Sequence, residues 1–198
     1  MTLFHSLGIL AASGVSAAAP GMVLVSPTSI AYSGTSATLG ANGQVTFSAV
    51  TSLSLNGCFT ADFDNYVISV RHNTAAANPD VNVRWRASGS DASGSDYSHQ
   101  FLVADSTSVF ASRSTSQSSA RLFSSSSTLR SGHVIYVYGP YLSQPTATRN
   151  ISSVAENNAR IYDLVTTHSL STSYDGWSIS SLSSSSISGA IQVYGVRS

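Results

Sequence analysis

Two carboxylates flank a ring at Asp62-Phe63-Asp64, and on an extended strand both would point the same way. A pair so placed could act as acid and base on a glycoside, or offer its oxygens to a calcium ion. The plainer reading is a chain turn ahead of Tyr66, with Asn65 assisting. The histidines, His5, His72, His99, His133 and His168, each stand alone in the sequence. None has a second histidine or Cys58 close enough for the compact spacing of a transition-metal site. Ser is the commonest residue, with 43 copies, yet no Gly-x-Ser-x-Gly elbow poses one of them as a nucleophile. Asp91 and Asp96 sit in a loop that could hold calcium, but the loop lacks the acidic density such sites use. Phosphate loops and dinucleotide fingerprints are missing. The sequence therefore predicts no catalytic residue, no metal and no cofactor. The one ligand-contact expectation is aromatic. Tyr174 and Trp177 bracket an Asp175-Gly176 turn, where exposed rings could lie against a sugar, core packing being the alternative.

Charge narrows the partners further. All nine basic side chains are Arg, balanced by nine acids, and the Arg residues are scattered singly. A nucleic-acid clamp needs a clustered positive stripe that displaces counterions, so no nucleic-acid partner is expected. Only 9% of residues are charged while 42% are apolar, the reverse of a disordered chain. A surface of small hydroxyls with little like-charge repulsion suits a chain that lives in an assembly. Cys58 is the only cysteine, so neither an intrachain disulfide nor a cysteine-based zinc cage can form. Beside Phe59 it reads as a small buried hydrophobe.

The elements that must carry these residues are strands. From Gln44 onward the pattern has period two. Val81, Val83 and Trp85 share one face, with Asn82, Arg84 and Arg86 on the other. Residues 87–91 and 92–96 repeat Ala-Ser-Gly-Ser-Asp in tandem, a small and polar surface loop leading to a strand near Tyr97. Further strands are expected at 66–71, 97–103, 108–112, 121–124, 133–138, 147–154, 160–167 and 189–196. Val134, Tyr136 and Tyr138 alternate with His133, Ile135 and Val137, which predicts a strand covered on both faces. In the last strand Ile191, Val193 and Gly195 oppose Gln192, Tyr194 and Val196. No stretch shows a sustained helical period with caps. The expected fold class is all-β, an antiparallel β-sandwich of jelly-roll type, spanning 44–198. Its edges need covering, which oligomerisation would supply.

Residues 1–43 read differently. Residues 3–19 carry an apolar stretch and an Ala-Ala-Ala run that look like a signal peptide, but a positively charged start is missing. Polar and glycine breaks keep the apolar run well short of the ~20 residues of a membrane span. The expectation is an extended docking arm, with a short strand at 23–25 and a turn-rich linker at 33–43.

Three blocks resemble a known family. Residues 57–66, 81–91 and 188–198 match, in order and spacing, the β-sandwich modules of tailed-bacteriophage virion proteins, especially small tail-fibre and minor tail proteins. Such modules often begin with a Phe-x-x-x-Tyr-Asp-Asn-Tyr-like block, here Phe59-Thr-Ala-Asp-Phe63-Asp64-Asn65-Tyr66, with Phe63 where Tyr is more usual. They often end in a Gly-x-Ile-x-Val-Tyr-Gly-like strand, here Gly189-Ala-Ile-Gln-Val-Tyr-Gly195. The resemblance covers roughly residues 45–198. It implies a non-enzymatic virion structural protein, of tail-fibre or minor-tail type, that presents its domain to the host surface. The implied partners are other virion proteins through residues 1–43, further copies of the chain in a trimer, and a host surface glycan. A capsid decoration or head-fibre protein is the alternative within the class. A secreted carbohydrate-binding module is the alternative outside it.

Overall fold

The computed structural model describes residues 21–74, 80–124, 129–154, 160–182 and 185–197. Every regular element among them is a strand, in the order β1 (Gly21–Val25), β2 (Ser29–Leu39), β3 (Val45–Asn56), β4 (Asn65–Thr74), β5 (Asp80–Ala87), β6 (Ser90–Asp91), β7 (Tyr97–Asp105), β8 (Ser108–Gln117), β9 (Ala120–Ser124), β10 (Ser131–Tyr138), β11 (Thr146–Val154), β12 (Arg160–His168), β13 (Gly176–Ser181) and β14 (Ile187–Arg197). All pairings are antiparallel, as the period-two pattern predicts. Hydrogen bonding links them into one sheet in the order β6-β5-β13-β3-β14-β4-β10-β11-β12-β7-β8, with β1 on β14, β2 on β3 and β9 on β5. The fold is all-β and antiparallel as expected, its strands hydrogen-bonded into a single sheet that curls over itself.

The fold line runs through β3. One edge of β3 pairs along its length with β2, while the other serves β14 with residues 45–50 and β13 with residues 52–55. A strand can serve two directions only if it bends, and bends come from bulges. Ala49 adopts φ 48°, and the registers against β2 and β14 both shift at this point. Its free N–H donates to Ser188 Oγ at 2.9 Å. On β2, Gly34 (φ 130°) lies so close to Ala49 and Val50 that a Cβ would strike their backbone. Only glycine lets the two bent strands approach.

Curling brings one half of the sheet, β13, β5 and β9, over the other, β14, β4, β10, β11, β12 and β7. Between them lie Trp85, Val81, Val83, Trp177 and Ile179 from the first half, and Tyr66, Ile68, Val70, Ile135, Val137, Ile191 and Val193 from the second. Each large apolar side chain so enclosed gains about 1.5–3 kcal/mol relative to solvent exposure. The alternations read at Val81-Val83-Trp85 and Ile191-Val193-Gly195 face the core as expected. The tandem repeat is a surface loop leading to β7, although its first copy closes a tight hairpin. Ser88 and Gly89 take positive φ, and Asp91 pairs with Arg86 across β5 and β6.

Two expectations change. Residues 33–43 are largely strand rather than linker, since β2 pairs with β3 from Ser29 to Leu39. Both faces of β2 are mostly exposed, so no hydrophobic alternation marked it. The short strand expected at 23–25 is present as part of β1. Among the described residues the sheet starts at Gly21, so part of the docking arm expected at residues 1–43 belongs to the sheet and the rest of it, residues 1–20, lies outside the described residues. The second change is β10, which is covered on one face only: Val134, Tyr136 and Tyr138 are 40%, 38% and 46% exposed. No described helix is long and apolar enough to cross a membrane.

Candidate functional site

The three sequence blocks converge on one aromatic chain. Phe59 meets Tyr66 edge-on at 4.8 Å and Trp85 at 6.1 Å, while Phe63 meets Tyr66 at 5.8 Å. The Tyr66 hydroxyl closes the 57–66 turn on itself, accepting from Thr60 N–H at 2.7 Å and donating to Thr60 O at 2.9 Å. β14 pairs with β4 so that Gly195 stands opposite Tyr66. The Phe63 ring covers Gly195 so closely that a Cβ there would overlap the ring. Arg197 then lies over the outer side of Phe63, 5.8 Å from its centroid. The first and last blocks are thus two sides of one packed unit.

That unit borders an open groove of about 800 Å³, lined by Asp62, Asp64, Asn65 and Thr60 on one side and by β1 and Arg197 on the other. Asp62 is held by its own turn, its Oδ2 accepting from Thr60 Oγ1 at 3.2 Å. The Asp64 carbonyl accepts from Gly139 N–H at 3.0 Å. Both residues build the turn, as the plainer reading of the sequence has it. Among the described residues no three His, Cys, Asp or Glu side chains gather as metal ligands.

Tyr174 and Trp177 are not loop-tip rings. They are 1% and 0% exposed, so the surface sugar contact expected of them is corrected to core packing. The Asp-Gly turn between them is stitched inward rather than outward. Asp175 N–H donates to Arg86 O at 3.0 Å, and its carbonyl accepts from Phe59 N–H at 3.0 Å. Trp177 pairs across the sheet with Trp85 on one side and Leu55 on the other. The Tyr174 hydroxyl lies 3.1 Å from His168 Nδ1. Cys58, beside this junction, is wholly enclosed, and burial pushes its thiol far above the usual range, leaving it inert.

The surface that sequence reasoning missed is the outer face of β10, β11, β12 and β7. Cross-strand neighbours run Val134–Ile151–Asp163–Leu102 in one row and Tyr136–Arg149–Val165–Gln100 in the next. Val134, Tyr136, Ile151, Val165 and Leu102 are all exposed. Arg149 and Asp163 cross between the rows as a two-pronged ion pair at 3.0 and 2.7 Å, which holds the Asp163 carboxyl below its usual range. The charges on this face therefore satisfy each other and leave a mostly apolar plane. The missed signal is an inversion. On β11 the inward positions are Thr146, Thr148, Asn150 and Ser152, so polarity alone assigns the faces backwards. Comparison with protein-family models, with curated proteins and with solved structures found no match to this chain.

Proposed function

We propose that this chain is a non-enzymatic structural protein of a tailed-bacteriophage virion, of tail-fibre or minor-tail type, presenting its curled sheet at the host surface. The observation that carries the reading is the junction of the two resembling blocks. Phe59, Phe63 and Tyr66 of the first pack as a unit against Gly195 of the last. This gives the ordered motifs a physical reason to occur together. The self-bonded turn through Thr60, Asp62 and Tyr66 favours a structural role for that block over glycoside chemistry. The burial of Tyr174 and Trp177 removes the ring pair that favoured a secreted sugar-binding module.

In this reading further copies of the chain meet the outer face of β10, β11, β12 and β7. Monomers seldom leave so continuous an apolar plane in water, and this one carries no unbalanced charge to oppose a second copy. The test is the protein inventory of purified particles. Virions banded by density and dissociated should yield this chain at a fixed copy number per particle. Its recovery only from the unassembled lysate would overturn the reading.

A further inference from the structure

β9 is the end of the curled sheet that must be closed against the other half. It pairs with β5 in a bulged register, Val81 opposite Phe123 but Asn82 opposite Arg121, so Leu122 has no counterpart. A bulge leaves a backbone group without a ladder partner, and a buried one must find another. The side chains that reach β9 come from the polar inner face of the opposite half. Thr166 Oγ1 donates to Arg121 O at 2.8 Å, and Asn150 Nδ2 donates to Leu122 O.

The second of these contacts fixes a whole chain of protons. A carbonyl only accepts, so the Asn150 amide must point its Nδ2 at Leu122 and its Oδ1 away. Oδ1 lies 3.0 Å from Ser152 Oγ, which donates its single proton there. Ser152 Oγ, 2.7 Å from His133 Nδ1, must then accept from it. His133 therefore carries its proton on Nδ1, leaving Nε2 bare. Nε2 lies 3.1 Å from His72 Nδ1, which must donate. His72 is left with a bare Nε2 that has no partner within the described protein. The rings of His72 and His133 are stacked with centroids 4.8 Å apart, and Phe123 of β9 lies against both.

We infer that His72, His133, Ser152 and Asn150 form a one-way hydrogen-bond chain that latches β9 to β4, β10 and β11, and that His72 Nε2 is its point of proton entry. Every other nitrogen and oxygen along the chain is engaged, so acid can be taken up without reversing a bond only there. Among the described residues an imidazolium at this place meets no counter-charge. Thr74 of β4, Ser131 of β10, Ser152 and Asn150 of β11 and Phe123 of β9 bring none. Burial holds His133 well below the ordinary histidine range and the nearness of His72 lowers it further, while the Arg121–Asp80 pair across the seam acts on His99. Burial accordingly lowers His72 to about 4.

The sign follows. The unfolded chain binds a proton at His72 near the ordinary histidine value of 6.5, and the folded chain does so only near 4. Stability is whole above that window and is lost as pH falls through it. From pH 7 to pH 5 this residue alone lowers the folding equilibrium constant on the order of 20-fold.

Two measurements on the full chain test the latch. Imidazole nitrogen NMR at neutral pH should show His72 and His133 both protonated on Nδ1. Either ring protonated on Nε2 would reverse the chain and overturn the inference. His72→Asn places an amide N–H where Nδ1–H stands and cannot titrate. Denaturant unfolding should show its loss between pH 7 and pH 5 smaller than the wild type's by on the order of 20-fold. An equal loss in both proteins would remove His72 as the entry point. Should His72→Asn fail to fold, the tautomers of the wild type decide alone.

Discussion

Gly195 is small because Phe63 lies on it, and Phe63 lies there because Tyr66 and Arg197 hold its ring from either side. Adding a methyl in so tight a place forces a shift of ring or strand. Gly195→Ala should cost about 1–3 kcal/mol by urea unfolding, and a neutral result would show that the junction is loosely packed. Trp177→Ala empties a site with no exposure and should cost about 3–5 kcal/mol. A stable Trp177→Ala protein would mean that the ring does reach the surface, as the sugar-contact reading of the sequence required. Residue types alone could not decide this. An Asp-Gly turn looks the same whether its loop leaves the sheet or is threaded between Phe59 and Arg86. Cys58 and the Val81-Val83-Trp85 face were legible because a small thiol beside Phe59 and a two-residue alternation each have one comfortable place.

At the scale of elements, strands whose faces differ in polarity the ordinary way were readable, and β4, β5, β7 and β14 fall where the alternation puts them. β2 and β11 were not readable in this way. β2 is a bent edge ribbon with little to bury, and β11 turns its hydroxyls and amide inward because the free side of β9 needs donors there. The inversion leaves Ile151 outside at 47% exposure. Ile151→Asp should therefore change the stability of the separated subunit by no more than about 0.5 kcal/mol. If copies meet on this face, the same change should shift the protein toward monomer in sedimentation. An unchanged oligomer would move the contact elsewhere. The first described strand begins at Gly21, which sets the cut to be tried. Removing residues 1–20 should leave a cooperative unfolding transition while abolishing incorporation into particles. Removing residues 1–43 takes β1 and β2 as well, and strips β3 of its partner along one edge. Incorporation at full occupancy without residues 1–20 would place attachment on the sheet itself.

For the whole molecule, few charges, many hydroxyls and a period of two were enough to give an all-β antiparallel chain. They were not enough to show how it closes. Closure depends on one left-handed alanine in β3, one glycine facing it and a bulge in β9, none of which leaves a mark in composition. The result is a sheet whose interior is apolar along β3, β4, β5 and β14 and hydrogen-bonded at the seam under β10, β11 and β12. The outer face of β10, β11, β12 and β7 is mostly apolar and electrically balanced. A surface of that kind suits repeated association, and in the proposed function this association builds a virion. Antibody against this chain, applied to purified particles and viewed by electron microscopy, tests that claim most directly. The account predicts label at one fixed place on every particle, at the tail rather than over the capsid shell. Label over the capsid shell would make it a decoration protein instead, and particles that bind a control antibody against the shell but none against this chain would contradict the account.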